Sequence, residues 1–594
     1  MNVKVSDFIF NYIANLGVKH VFYLPGGGAM HLDDSLGHND QLTPVCMLHE
    51  QSCSIAAEAY ARISENFGIC IVTSGPGVTN TITGLAGAWL DATPVIFISG
   101  QAKRADLVND QKIRQFGIQE VNVVELVKSV TKYAVQIQEP NDILYELEKA
   151  TLIAKEGKPG PVWLDIPLDI QASFVDTDDL PNFTEKMTSY ECKESDILKT
   201  IELLNNSKRP LILLGHGIRL ACAISEMEAL IQRLNIPVMT TWNGIDLIED
   251  DNPLFFGRPG AVGQRHANFI QQNADFVLTI GTRLNMLSTG YDFGSFLRNA
   301  KHVMVEIDEN EMKKRSVHPF LAVHSDAKSF LRKMIENQDK IESKPRTEWW
   351  KYCHKMKAKY PLFIQEQIPD GQGINTYRFA DCLTGKLTSN DIYQFTSSGT
   401  GADIPMYTFR IKKGQRAFLT KGLASMGFDL PACIGSCLAG GKRRTVCITG
   451  DGGFLMNVQE LATLKYLNLP VKIFILCNDG YGMIYNSQKG NFRRLTGCTR
   501  KSGLGMPDMK SIVEGFKVKC FEITKETELA EKINMVLAFD GPAVCTVKVC
   551  ISQKILPRQT NYMKEDGQME SYPLEDMSPL LERNEFNSNM IGDK

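Results

Sequence analysis

Residues 445–484 read TVCITGDGGFLMNVQELATLKYLNLPVKIFILCNDGYGMI, and the organisation of the 594-residue chain follows from them. The run ending at Thr449 is short and apolar, the pattern of a strand buried on both faces of a parallel sheet. Gly450-Asp451-Gly452-Gly453 follows. Three of these four residues lack a Cβ, so the backbone there can come close to a bound molecule. Met456–Leu467 has helical spacing, with Val458, Leu461, Ala462 and Leu464 on one side. Pro470 ends it, Val471–Leu476 forms a second apolar strand, and Cys477-Asn478-Asp479-Gly480 closes a βαβ unit.

Both strands of such a unit end on the same edge of the sheet, where open α/β sheets bind ligands. Asp451 and Asn478 lie on that edge, 478 − 451 = 27 residues apart, about what a crossover with its helix requires. A carboxylate, an amide oxygen and glycine-rich backbone are hard oxygen donors. Together they suit Mg²⁺, which takes one or two carboxylates plus phosphate oxygens and water.

A fainter echo lies near the N-terminus. ICIVTSGPG and TPVIFISG repeat the order strand, glycine turn, helix, proline, strand, with 94 − 75 = 19 residues from turn to proline against 470 − 450 = 20. Two copies of one fold and a chance likeness between βαβ units both stay open. Around the echo, Val21–Leu24 runs into Pro25-Gly26-Gly27-Gly28, and Thr43–Leu48 ends at His49-Glu50-Gln51. Ser54–Arg62 reads as an Ala-rich helix.

The expected fold is α/β, with three parallel-sheet domains at 1–170, 191–335 and 371–553. A polar linker at 171–190 and a charged, solvated helical connector at 336–370 separate them. Residues 554–594 read as a surface tail or a flap. The middle domain opens with Pro210–Leu214 and continues through Ile236–Met239, Phe276–Ile280 and His302–Ile307. The N-terminal stretch reads as an amphipathic helix with no signal-peptide core.

Bulk properties exclude several classes. A formal charge of −3 offers no general attraction to nucleic acid or anionic membrane, and no run of basic residues interleaved with aromatics stands out. No apolar segment is long enough to span a bilayer. The 15 cysteines are scattered through apolar runs without zinc spacing, and read as reduced thiols of a cytoplasmic protein.

The Gly450-Asp451-Gly452 turn followed by Asn478 resembles the metal–diphosphate signature of thiamine diphosphate enzymes. The flanks FLMNVQELAT and NLPVK are similar to the large subunit of acetolactate synthase. That resemblance implies thiamine diphosphate and Mg²⁺, with Asp451, Asn478 and Gly480 as metal ligands. It implies cofactor contacts at Gly26, Gly75, Pro76, Asn80, Gly401, Ala402, Asp403, Gly450, Gly452, Gly453, Tyr481 and Met483. Gly401, Ala402 and Asp403 belong to the diphosphate-receiving stretch SGTGAD, residues 398–403. Met426 would wedge the cofactor into its bent form. Glu50, which alone would pass for a carboxylate at a helix start, matches the glutamate that hydrogen-bonds N1′ of the aminopyrimidine. Gln119 matches a residue on the substrate side, and Glu58 reads as structural. The middle domain matches FAD-holding positions in part, but Asn285 and Leu287 stand where an acid and an arginine are usual, so FAD binding stays open.

The resemblance further implies a homodimer or homotetramer that decarboxylates a 2-oxo acid, pyruvate first, and joins the acyl unit to an acceptor carbonyl. Leu168 replaces a lysine of the substrate channel and Ser487 a tryptophan. With Pro573-Leu574-Glu575-Asp576-Met577, these resemble carboligases that act on nucleotide-linked keto sugars. Authentic acetolactate synthase, a simple decarboxylase and a cofactor-retaining regulatory protein are the alternatives.

Overall fold

The computed structural model describes residues 1–109, 111–362, 373–397 and 399–592. Ser398 and the expected domain start at residue 371 lie outside the described residues. Three parallel sheets flanked by helices make the chain α/β.

The first sheet orders its strands Thr43–Cys46, His20–Tyr23, Gly68–Val72, Val95–Gln101, Val162–Pro167, Tyr133–Gln136. The last sheet runs Arg416–Phe418, Ile392–Phe395, Thr445–Gly450, Val471–Cys477, Ala543–Lys548, Lys519–Ile523. Numbered along the chain, both have the order 2-1-3-4-6-5. The faint sequence echo is therefore a repeat of topology, and its strands are the third and fourth of each sheet. Between them sits a five-stranded parallel sheet, Val238–Thr240, Pro210–Leu214, Phe276–Ile280, Lys301–Glu306, Leu321–His324.

The two six-stranded halves meet through helices Glu50–Ser64 and Asp429–Ala439. Small residues permit this approach: a Cβ on Gly435 would lie 2.1 Å from the Ala56 carbonyl oxygen. At the other end of the first helix Arg62 is buried 3.6 Å from both Glu58 and Asp91. Its guanidinium donates to the Leu419 carbonyl at 3.0 Å and covers the Phe418 ring. Burial raises the Glu58 carboxyl and Arg62 opposes the rise. Glu58 thus sits within this junction and not at the sheet edge.

Four local expectations are revised. The helix expected over 456–467 is confined to Glu460–Tyr466, and a separate short helix, Asp451–Leu455, precedes it; Asn457, between the two, is buried. Asn2–Lys4 forms a strand pairing with Phe174–Asp176, so the N-terminal helix starts at Val5 and part of the linker is strand. The connector helix Thr347–Lys359 is not wholly solvated: Trp349, Cys353 and Met356 are buried, in a cluster with Phe269 and Ile270. The tail is a strap over the middle domain. Glu575, fully buried, accepts from Gln272 and pairs with Arg298, and Asn268 donates to the Leu574 carbonyl at 2.8 Å.

Candidate active site

In the last sheet the strand order reverses between Ile392–Phe395 and Thr445–Gly450, which pair side by side. A crevice opens at their carboxyl ends, the usual ligand position of such sheets. Four residues past the first strand end, Gly399 takes φ +76° and helix Thr400–Thr408 begins. Gly401 packs so closely that a Cβ would lie 3.1 Å from Thr396 Cγ2 and 3.4 Å from the Ile448 carbonyl oxygen. Ala402 N–H and Asp403 N–H both bond back to the Gly399 carbonyl. The Asp403 carboxylate is engaged by Lys421 Nζ at 2.7 Å. Asp429 braces both sides of the crevice: it accepts from Thr396 Oγ1 at 2.9 Å and from Thr449 Oγ1.

Past the second strand, Asp451 is the first residue of a short helix and is buried. Its Oδ1 accepts from Gly452 N–H at 2.8 Å, and its Oδ2 from Asn478 and Asp479 N–H at 3.0 and 2.9 Å. Burial still pushes the carboxyl up to about 6, and a cation bound beside it would favour its anion further. Asn478 Oδ1 accepts from Gly480 N–H at 3.0 Å, and Tyr481 N–H is fixed by the Cys498 carbonyl. Among the described residues no three His, Cys, Asp or Glu side chains form a metal-binding group. The donor set at this turn, one carboxylate, one amide and backbone carbonyls, leaves positions for phosphate oxygens. That is the coordination Mg²⁺ takes with a diphosphate.

Side chains converge on Gly452, where a Cβ would lie 2.4 Å from Tyr481 Cε1 and 2.9 Å from Met426 Cε. Met426 is 39% exposed, so it is not a core methionine. Met483 reaches within 3.3 Å of a Cβ on Gly399, whereas Gly450 faces open space and Gly453 lies against Thr449. This shape leaves room for a diphosphate at the Gly399–Gly401 turn, beside Met426 and Tyr481.

The first sheet presents a second rim. Glu50 opens helix Glu50–Ser64, is 8% exposed and accepts from Asn80 Nδ2 at 3.0 Å. His49 Nδ1 caps the helix by accepting from Gln51 N–H. Gly75 takes φ +62°, and a Cβ there would lie 2.8 Å from the Gln119 carbonyl oxygen. Pro76 starts the helix that carries Asn80. Gln119, itself at φ +59°, is exposed on a loop organised by Glu120, which accepts from Val108, Phe116 and Gly117 N–H. Gly26 lies against Thr73, where a Cβ would be 2.5 Å away, and donates to Asp33 Oδ2 at 3.1 Å. All of these residues lie beyond the carboxyl ends of the first four strands of their sheet.

Asp33 brings a testable pH effect. Burial raises its carboxyl from 3.8 to about 6. Between those values the folded chain holds more protons than the unfolded chain, so this group's contribution to stability falls as pH rises through the window. Asp33→Asn keeps an oxygen for the Gly26 N–H but cannot ionise. It is expected to flatten the stability slope between pH 4 and pH 6 and raise the melting temperature at pH 7. Thermal unfolding across that range reads the effect; an unaltered slope would refute it.

Sequence reasoning missed the residues that link the two rims. Ser52 Oγ donates to Asn457 Oδ1 at 3.1 Å, and Asn457 Nδ2 donates to the Gly427 carbonyl at 2.7 Å. Leu48 N–H is held by Glu460 Oε1 at 3.1 Å. The spacing of Asn457 and Glu460 was visible within the FLMNVQELAT stretch, but it reads as a helix surface until the partners, some 400 residues away, are known. Asp429 was legible only as an acid at a helix start.

The middle sheet borders a cavity of about 500 Å³, within the usual range of small-molecule sites. Asn285 and Leu287 line it, as do Gly217, Thr282 and Glu306. His216 Nδ1, Asn243 Oδ1 and Thr282 Oγ1 are buried at its wall without hydrogen-bond partners among the described residues. Orphaned polar atoms around a cavity of this size fit a polyfunctional ligand.

Comparisons with known proteins agree with this geometry. Residues 3–126 match the thiamine pyrophosphate enzyme N-terminal TPP binding domain, residues 197–334 the central domain, and residues 401–547 the C-terminal TPP binding domain. The acetolactate synthase large subunit of Cyanidium caldarium is 30% identical over 93% of this chain and 95% of its own length. A probable acetolactate synthase large subunit of Methanocaldococcus jannaschii is 32% identical over 92% of each. The acetolactate synthase isozyme 1 large subunit of Escherichia coli is 28% identical over 93% of this chain and 95% of its own. With both cofactor-binding halves and the domain between them matched, the chain belongs to the thiamine pyrophosphate enzyme family and is similar to acetolactate synthase large subunits.

Proposed function

We propose that the chain decarboxylates a 2-oxo acid, pyruvate first, and joins the acyl unit to an acceptor carbonyl. The observation that carries this reading is the Asp451–Asn478 turn at one crevice together with the buried Glu50–Asn80 pair at the other. A cofactor protein without turnover needs the first and has no use for the second.

Thiamine diphosphate, when bound, supplies the carbon nucleophile and the electron sink that lets CO₂ leave. Asp451 Oδ, Asn478 Oδ1 and the Gly480 carbonyl hold Mg²⁺ on the diphosphate. The N-terminus of helix Thr400–Thr408, with Gly401, Ala402 and Asp403, receives its oxygens. Met426, Gly450, Gly452, Gly453, Tyr481 and Met483 shape the cradle. Glu50 holds and returns a proton at the aminopyrimidine nitrogen, with Asn80 fixing its carboxyl. Gly26, Gly75 and Pro76 bring backbone to the ring, and Gln119 faces the substrate. FAD is the proposed occupant of the middle cavity, supported by its size and its orphaned polar atoms.

Two copies of the chain complete each site. Exposed apolar side chains cluster on segments of both rims, among them Leu48, Ile118, Met426, Met483 and Ile484. These surfaces suit cover by a second chain in a homodimer or homotetramer. Domain limits at 1–170, 191–335 and 371–553 are part of the same proposal.

The acceptor is proposed to be a nucleotide-linked keto sugar. Ser487 is exposed on helix Gly482–Asn491, and Leu168 places no cation at the start of its helix. Both changes widen the approach and weaken recognition of a second carboxylate. The relatives' names favour a second reading, pyruvate as its own acceptor. Incubating the Mg²⁺–thiamine diphosphate enzyme with pyruvate, alone and with nucleoside-diphosphate keto sugars, separates the two. CO₂ release with a branched sugar product supports the first, and acetolactate alone supports the second. No CO₂ from any 2-oxo acid would defeat both.

A further inference from the structure

Helix Gly482–Asn491 starts at the metal turn and leads away from it. None of its residues is buried, and Met483, Ser487 and Gly490 fall at helical spacing on exposed positions; the chain turns out of the helix at Arg493, φ +54°, and Arg494 follows exposed. Small side chains at Ser487 and Gly490 leave an open track about 12 Å long from Met483 to Asn491, at about 1.5 Å per residue. The loop beyond is tied back firmly. Gln488 both donates to the Thr496 carbonyl and accepts from Thr496 N–H, at 3.1 and 2.7 Å, and Gly480 bridges to Thr499. Lys489, Phe492, Arg493 and Arg494 therefore stand at the tip of an anchored excursion.

The charge of this tip is unlike that of the chain. Between Asp479 and Asp508 there are 5 cations and no acid, in a chain of net charge −3. Among the described residues no carboxylate lies within 4.0 Å of Lys489, Arg493 or Arg494. Phe492 is 70% exposed beside them. A solvated basic surface needs neither an exposed ring nor a clear track to a cofactor site. A ligand with a diphosphate and a flat base, reaching back to the reacting carbon through a sugar, uses all three features.

We propose that Arg493 and Arg494, with Lys489, bind the diphosphate of a nucleoside-diphosphate-linked acceptor, while Phe492 stacks on its base. This deepens the acceptor reading above and rests on it. The probes are CDP, UDP and inorganic pyrophosphate, titrated calorimetrically into enzyme already loaded with Mg²⁺ and thiamine diphosphate. Arg493→Ala/Arg494→Ala is expected to weaken CDP or UDP about 10- to 100-fold, the scale of losing charged hydrogen bonds. Arg493→Lys/Arg494→Lys should restore much of the binding and provides a test if the alanine pair folds poorly. Phe492→Ala should weaken the nucleotides and leave pyrophosphate unchanged. The middle cavity is untouched in these variants, so binding there would not follow them.

No nucleotide binding to the wild type, or equal binding to the alanine pair, would overturn the assignment. CO₂ release from pyruvate by the wild type is measured in parallel. Its absence would sink the functional reading and the acceptor assignment together, whereas CO₂ release without nucleotide binding would sink the basic tip alone.

Discussion

Glu50→Gln is expected to lower turnover of pyruvate roughly 10²- to 10⁴-fold, the range for a positioned acid–base group. The substitution is close to isosteric at a site that is 8% exposed. Its amide oxygen still accepts from Asn80 Nδ2, now 3.0 Å from the carboxylate, so the helix start and its His49 cap persist. What is lost is the ability to hold and return a proton. The melting temperature and the amount of bound thiamine diphosphate should therefore change far less than the rate. That split separates a chemical role from a structural one. Single-turnover CO₂ release reads the step directly, and a near-normal rate would remove Glu50 from the mechanism.

The fold was legible where the chemistry is local. Apolar strands that are buried on both faces announce themselves as apolar runs ended by turn residues, so the strands observed at Gly68–Val72 and Thr445–Gly450 are legible to within a residue. The turn at Asp451 was legible because glycine, carboxylate and crossover length all act within one βαβ unit. Strand order was not legible, since it depends on which side of the sheet each crossover takes, and the 19- and 20-residue spacings hint only at two adjacent strands. The tail was read as irregular for a related reason. Glu575 and Asp576 look like solvated acids until Gln272, Arg298 and Arg583 are placed against them. Asn457 likewise reads as a surface residue of a regular helix, whereas it lies buried before the helix start at Glu460 and bonds to Ser52 and Gly427. The basic tip after Lys489 makes no continuous run in sequence, since its cations are spread over a loop; only the bonds of Gln488 to Thr496 show that this loop is tied back.

Asp451→Ala should abolish retention of thiamine diphosphate at working concentrations. Removing a residue that only orients a metal ligand costs about 10- to 100-fold in metal affinity, and Asp451 supplies the buried carboxylate of the turn, Asp479 being exposed. The loss has two parts. The cation loses a charged ligand, and the Asn478 and Asp479 N–H groups lose the oxygen that fixes their strand end. Asp451→Asn separates them, because an amide oxygen can still accept from one of those N–H groups while carrying no charge. It should keep the melting temperature of the unloaded protein near the wild-type value and still bind the cofactor weakly. Chelation by EDTA should mimic the alanine variant in the wild type, with Mg²⁺ restoring the bound cofactor. Equilibrium dialysis of thiamine diphosphate with and without Mg²⁺ measures all three. If cofactor binding in Asp451→Ala matched the wild type and responded to Mg²⁺ equally, the metal would have to sit elsewhere, and the crevice between Gly401 and Gly452 could not be where the diphosphate is held.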